Sequence, residues 1–162
     1  MARAGARLIL RAARAADLDA LLALERECFR TDRLTRVDLA NALAHPRAAL
    51  LVLADRAGLA GYAVLRLSGA RGIARIDSLG IAHRARGVGL AQRLVRACIT
   101  QARRASATRL RLEVRANNRA ACRLYRGLGF VALRELPGYY ADGGRGLRLE
   151  LGFGALPRIA AR

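Results

Sequence analysis

The chain has 162 residues, enough for one domain that buries roughly 70% of its unfolded surface without disulfides or a structural metal. A hydrophobic content of 54% excludes a disordered chain, and apolar runs such as residues 48–54 are too short to cross a bilayer. Thirty basic residues, all of them arginine, against twelve acidic ones give a formal charge of +18. That balance points to an anionic partner such as nucleic acid or a phosphorylated cofactor, or else to the bias of a GC-rich coding sequence. The arginines are spread along the chain rather than clustered, so no motif supports nucleic acid.

Residues 7–11 read as a first strand. Asp17 is placed to cap a helix in which Leu18, Leu21, Leu22, Leu24 and Cys28 recur at helical spacing. Thr35 opens a second, shorter helix that stops before Pro46. Strands follow at residues 50–54 and 61–67, separated by a turn at Ala57-Gly58, and a third apolar run covers residues 73–81. From Val88 to about Arg103 the pattern is helical again, with Leu90, Leu94, Val95, Cys98 and Ile99 on one stripe. Leu110, Leu112 and Val114 alternate with charged residues, as in a half-buried strand. Asn117 or Asn118 can cap the next helix, which ends at Gly127 or Gly129. Residues 130–133 and 147–151 close the sheet on either side of a Pro137-Gly138-Tyr139-Tyr140 loop. This order predicts one α/β domain over residues 1–154, with a mixed sheet flanked by helices, and a tail at 155–162. Residues 1–14 alternate arginine with small residues and lack the apolar core of a signal peptide, so the expected setting is the cytoplasm. Cys28, Cys98 and Cys122 are widely spaced with no paired motif, which favours reduced thiols over a disulfide or zinc site.

Residues 84–89, Arg-Ala-Arg-Gly-Val-Gly, stand between a strand and a helix. Such a turn can aim backbone N–H groups at a phosphate, with Gly87 and Gly89 allowing close approach and positive φ while Arg84 and Arg86 add charge. It is not a Walker A loop, since no Lys-Ser/Thr follows, and it lacks the third glycine of a dinucleotide fingerprint. A tight turn that binds nothing is the alternative reading.

In context, residues 76–90 resemble the R-x-x-G-x-G signature of the GNAT superfamily of N-acetyltransferases. Residues 112–130, Leu-Glu-Val-Arg through Asn118, Leu124-Tyr125 and Gly129-Phe130, are similar to the second conserved block of the RimI-like N-terminal acetyltransferases. The resemblance implies a GNAT fold, with a splayed strand pair and about four helices, and acetyl-CoA as donor. It assigns the cofactor to the edge of Leu79 and Ile81, to Arg84, Arg86, Gly87, Val88, Gly89 and Leu90, and to Asn118 and Tyr125.

The same resemblance makes Glu113 the general base and Tyr125 the general acid. Read from the residues alone, Glu113 equally balances Arg111 and Arg115, and Tyr125 equally packs beside Leu124 and Leu128. Residues 138–143, Gly-Tyr-Tyr-Ala-Asp-Gly, resemble the peptide-entrance loop of those enzymes. They place Tyr139 and Tyr140 at the acceptor, or simply in a surface turn. Gly144-Arg145-Gly146 replaces the usual acidic residues after that loop, and residues 29–34 lack the usual proline. The expected acceptor is a protein or peptide N-terminus, a ribosomal protein among the possibilities. Other readings are acetylation of a small amine or lysine side chain, and a non-catalytic RNA- or ribosome-binding module. A cationic small acceptor calls for an acidic pocket, for which this acid-poor chain offers few residues.

Overall fold

The structure is a computed structural model, and it describes residues 7–69 and 72–154. The expected tail at 155–162, residues 1–6 and residues 70–71 lie outside the described residues.

Two hydrophobic periodicities build two apolar layers on opposite faces of one sheet. Strands β1 (Ile9–Ala12), β2 (Ala48–Asp55), β3 (Gly58–Arg66) and β4 (Ile73–Ile81) form an antiparallel meander. Strands β5 (Arg109–Arg115), β6 (Val131–Leu136) and β7 (Gly146–Gly152) form a second leaf, and the whole sheet runs β1-β2-β3-β4-β5-β7-β6. Helices α1 (Leu18–Cys28) and α2 (Arg36–Ala44) bury Leu21, Leu24 and Leu39 against Val52, Tyr62 and Val64 on one face. Helices α3 (Leu90–Arg104) and α4 (Arg119–Gly127) bury Leu94, Val95, Cys98, Cys122 and Tyr125 against Leu65, Leu110 and Leu112 on the other. The expected mixed sheet with four helices is therefore present.

Local chemistry explains most boundaries. Thr35 caps α2 by accepting from the Asp38 N–H at 3.2 Å, while the Asp38 carboxylate accepts from the Thr35 N–H at 2.7 Å. Asn118 caps α4 through the Ala121 N–H at 3.2 Å. Asp17 departs from the expectation. A single 3-10 turn at Ala15–Asp17 precedes α1, and Asp17 itself is already helical, so its carboxylate cannot reach forward. It reaches back instead, accepting from the Arg14 N–H at 2.8 Å and from the Arg11 guanidinium at 2.6 and 2.9 Å. Helix α3 starts at Leu90 rather than Val88, because Gly89 sits at φ +82°, outside the right-handed helical region.

One irregularity matters for the site. Val64 pairs with Ser78 and Leu65 with Ile76, so Asp77 is the extra residue of a bulge in β4. Ile76, Leu79 and Ile81 thereby face the α3 side, whereas Arg75 and Ser78 face the side of α1.

Candidate active site

The ladder between β4 and β5 is parallel and short, running from Ile73–Arg109 to Ile76–Leu112. Beyond it β4 stays on β3 through Ile81, and β5 stays on β7 through Arg115. The strands part like a fork, and each turns a free backbone edge toward the gap. A cavity of about 870 Å³ fills that gap, lined by Leu79, Gly80 and Ile81 from one prong and by Glu113, Val114 and Arg115 from the other.

On the α3 side the cavity meets the turn of residues 86–89. Gly87 (φ +80°) and Gly89 (φ +82°) both hold left-handed backbone, and no atom lies within 4 Å of where a Cβ would stand. Conformation rather than crowding therefore calls for glycine there. Helix α3 has no side-chain cap and no acidic residue in its first turn, so its leading N–H groups and dipole face the cavity uncompensated. Arg86 is held beside them by donating from Nε to the Ile81 carbonyl at 3.1 Å. Asn118, Ala121 and Leu124 of α4 complete this wall.

Tyr125 forms the floor. It is 7% exposed, packs edge-on to Phe130 with centroids 5.6 Å apart, and its hydroxyl has no protein hydrogen-bond partner among the described residues. Burial pushes its phenol well above the ordinary range, so it stays protonated at neutral pH and beyond.

The opposite side is built from ion pairs. Asp32, Asp77, Glu113 and Asp142 all line the cavity, a third of the acidic residues of the chain, and each is matched by an arginine, Asp77 and Glu113 by Arg75 and Asp32 and Asp142 by Arg115. They come from four separate segments, which is why sequence order hides the cluster. The Glu113 side chain is 5% exposed and is gripped by Arg75 (Nη2–Oε2 2.5 Å) and Arg148 (Nε–Oε1 3.0 Å). Its partners are thus not Arg111 and Arg115. Arg111 donates to Glu150 at 2.5 Å across the β5–β7 ladder. Arg115 ties two loops together. It donates to Thr31 Oγ1 at 2.8 Å and Asp142 Oδ1 at 3.0 Å, and its guanidinium lies 4.1 Å from the Tyr140 ring centroid. The Asp32 carboxylate accepts from the Ala141 N–H at 3.1 Å, closing the same bridge. Buried Glu25 anchors the other end of the first loop, accepting from Tyr62 Oη at 2.5 Å, Ser78 Oγ at 3.1 Å and the Leu34 N–H at 3.3 Å. Its place on the apolar stripe of α1, four residues after Leu21, is the sequence signal that marks it as buried.

Residues 17–130 match the Acetyltransferase (GNAT) family. The chain belongs to that family. N-alpha-acetyltransferase 30 of Saccharomyces cerevisiae is 33% identical over 76 residues, which are 47% of this chain and 43% of the relative. The chain thus spans less than half the length of that curated relative. Among solved structures, the ribosomal-protein-S18-alanine N-acetyltransferase from Escherichia coli superposes with a TM-score of 0.83 at 21% identity, covering 96% of this chain and 100% of that one. Arabidopsis thaliana NAA60 in complex with acetyl-CoA gives 0.82 at 20%, over 90% and 98% of the two chains.

Within this GNAT domain the fork gathers most of the residues singled out from sequence. Leu79, Ile81, Arg86, Gly87, Gly89, Leu90, Glu113, Asn118, Tyr125 and Tyr140 all line the cavity. Arg84, Val88 and Tyr139 do not. Arg84 is drawn away by a two-pronged ion pair with Asp55 at 2.9 and 3.1 Å, and Val88 is 71% exposed. Tyr139 stacks edge-on against Tyr140 with centroids 5.0 Å apart, outside the lining. Arg75, Arg148 and Asp32 are the neighbours that sequence reading missed. Among the described residues no helix is long and apolar enough to cross a membrane, and no cluster of potential metal ligands occurs.

Proposed function

We propose that this GNAT domain transfers the acetyl group of acetyl-CoA to the α-amine of a protein or peptide N-terminus. The observation that carries this reading is the polarity of the fork. Uncapped helix amides and Arg86 flank one side of Tyr125, and carboxylates with a tyrosine-bearing loop flank the other. The first side fits a pyrophosphate, and the free edge of β4 at Leu79 and Ile81 fits the amide groups of a pantetheine arm. Acetyl-CoA supplies the activated acetyl thioester.

The residues of the chain then have two proton tasks. Tyr125 Oη, protonated and buried, donates its proton to the departing sulfur as the carbon–sulfur bond breaks. Glu113 takes the proton released by the amine, directly or through a water, once the new carbon–nitrogen bond forms. Arg75 and Arg148 hold that carboxylate in place. An acceptor that is already partly neutral asks least of any base. An α-amine, with a pKa near 8, has a neutral fraction roughly 230-fold larger near pH 7 than a lysine with a pKa near 10.4. The loop bridge of Arg115, Tyr140 and Asp32 walls the entrance for an extended segment rather than a small free amine. A cytoplasmic setting and a ribosomal protein acceptor belong to the same reading, the latter prompted by the name of the Escherichia coli fold relative.

Acetylation of a peptide library read by mass spectrometry tests the proposal. The expected product carries acetyl on the first residue only. Acetylation confined to lysine side chains or to small amines would replace this reading with one of its alternatives, and no saturable acetyl-CoA binding would end it.

A further inference from the structure

Charge is not evenly distributed in this molecule. Between Asp77 and Glu135 the chain holds thirteen arginines and a single acidic residue, Glu113. Helices α3 and α4 lie in this stretch and contain no Asp or Glu. Arg93, Arg96, Arg103 and Arg104 are exposed on α3, and Arg119, Arg123 and Arg126 on α4. None of the seven makes an ion pair among the described residues, although Arg103 lies over the Phe153 ring at 4.7 Å. Elsewhere arginines are neutralised, as in Arg11–Asp17, Arg84–Asp55 and Arg111–Glu150.

A genome-wide preference for arginine raises the count of cations but gives no reason to strip anions from two helices. Solubility alone is served by acid–base pairs four residues apart, which stabilise a helix, and neither helix has one. Arg103, Arg104 and Arg126 do suit the negative ends of their helices, but Arg93 and Arg119 sit near the positive ends, where a cation is unfavourable. Both helices cover the same sheet face, so their outer sides look the same way. Arg93 to Arg104 spans about 16 Å and Arg119 to Arg126 about 10 Å, the reach of several phosphates.

We infer that the outer face of α3 and α4 is a docking surface for RNA, gripped through its phosphodiester backbone. Guanidinium forks suit phosphate oxygens. An anionic membrane fits less well, because the large exposed hydrophobic side chains, Ile9, Val37, Val88, Val131, Leu133 and Tyr139, lie outside both helices and leave nothing there to enter a bilayer. The choice of RNA over DNA rests on the proposed acceptor, since N-termini are first exposed beside ribosomal RNA. The surface itself rests only on the charge pattern.

The test compares two fourfold variants of the full chain with equal loss of charge. One carries Arg96→Gln, Arg104→Gln, Arg123→Gln and Arg126→Gln. The control carries Arg14→Gln, Arg26→Gln, Arg47→Gln and Arg56→Gln, on other surfaces. Binding to a labelled RNA hairpin, the matching DNA hairpin and phosphatidylserine vesicles is titrated across salt. The first variant is expected to lose at least tenfold in RNA affinity and to flatten the salt slope by about 3, at roughly 0.7–0.9 per phosphate contact. Its acetyl-CoA affinity should equal wild type, and the control should stay within twofold on RNA. Equal losses in both variants, tighter binding to vesicles or DNA than to RNA, or loss of acetyl-CoA binding in the first variant would each overturn the inference. RNA binding without N-terminal acetylation would leave the surface standing and remove the acceptor reading.

Discussion

The Arg75 guanidinium of β4 and the Glu113 carboxylate of β5 meet at 2.5 Å just where the two strands cease to pair. This contact pins the crotch of the fork. With Arg148 on the far side, the buried Glu113 carboxylate stands between two cations that would otherwise face each other. One residue thus joins the two leaves of the sheet and lines the cavity between them.

Replacing Glu113 by Gln should therefore have two separable effects. Leaving Arg148 without its counter-ion, and Arg75 with Asp77 alone, is expected to cost about 1–3 kcal/mol, read as a lowered denaturation midpoint. Turnover on an N-terminal peptide should drop by about 100-fold or more, with the acetyl-CoA Kd within a few-fold of wild type. A variant that loses stability but keeps its turnover would make Glu113 purely structural.

Tyr125→Phe retains the packing against Phe130 and removes only the hydroxyl. Turnover should fall by about 100-fold or more while acetyl-CoA still binds. The pH profile offers a second check. Burial raises the phenol above its ordinary value near 10, so the acid form persists past the pH at which a free tyrosine ionises. Wild-type kcat should then rise through the acceptor amine pKa and show no descending limb below about pH 10. A limb near pH 8 would point to a different acid.

Gly89→Ala introduces no clash but forces φ +82° on a residue with a Cβ. The expected cost is about 1 kcal/mol, which the turn can escape only by shifting its amides. Calorimetry should show acetyl-CoA bound about tenfold more weakly, with kcat on bound substrate little altered. Unchanged affinity would place the phosphates elsewhere.

Arg115→Gln breaks the bridge from Asp142 and Tyr140 to Thr31 without touching the cavity wall near α3. The peptide KM should increase about tenfold while the acetyl-CoA Kd holds. An equal rise for both substrates would mean that the loops act on the fold as a whole.

Asp17→Asn isolates a structural ion pair. The Arg11 guanidinium, countered in part by burial and helped by the Arg14 N–H, holds the Asp17 carboxyl at about 2. Because the folded value is depressed, the stabilisation is complete above the unfolded value near 3.9 and is lost as pH falls from there toward 2. Wild type and variant should differ by about 1–2 kcal/mol at pH 7 and converge near pH 2. A difference that persists at pH 2 would locate the effect outside this pair.

The strands, the helices and the glycine turn before α3 were legible because each follows from neighbouring residues. Apolar alternation marks β5, the 3.6-residue stripe marks α3, and Thr35 and Asn118 announce their helices by capping. Asp17 misled because its partner Arg11 lies upstream across a 3-10 turn, a choice that a single carboxylate makes from geometry rather than spacing. The carboxylate side of the cavity was the least legible. Arg75, Glu113 and Arg148 come from three strands, and Asp32 meets Ala141 across 109 positions. Arg84 shows the converse. Its motif suggests a phosphate ligand, and only the fold reveals that Asp55 is there to claim it.

The bulge at Asp77 gives the fork its phase. A strand without it would alternate evenly from Ile76, turning Ser78 and Gly80 toward α3 and sending Leu79 and Ile81 to the carboxylate side. Drawing Asp77 into the regular ladder would exchange the two sides of the prong while leaving every side chain chemically intact, whereas deleting it would keep them as they are. Which face of β4 each side chain beyond Ile76 meets is therefore a matter of parity, set by whether one residue is counted in the pairing or left out of it.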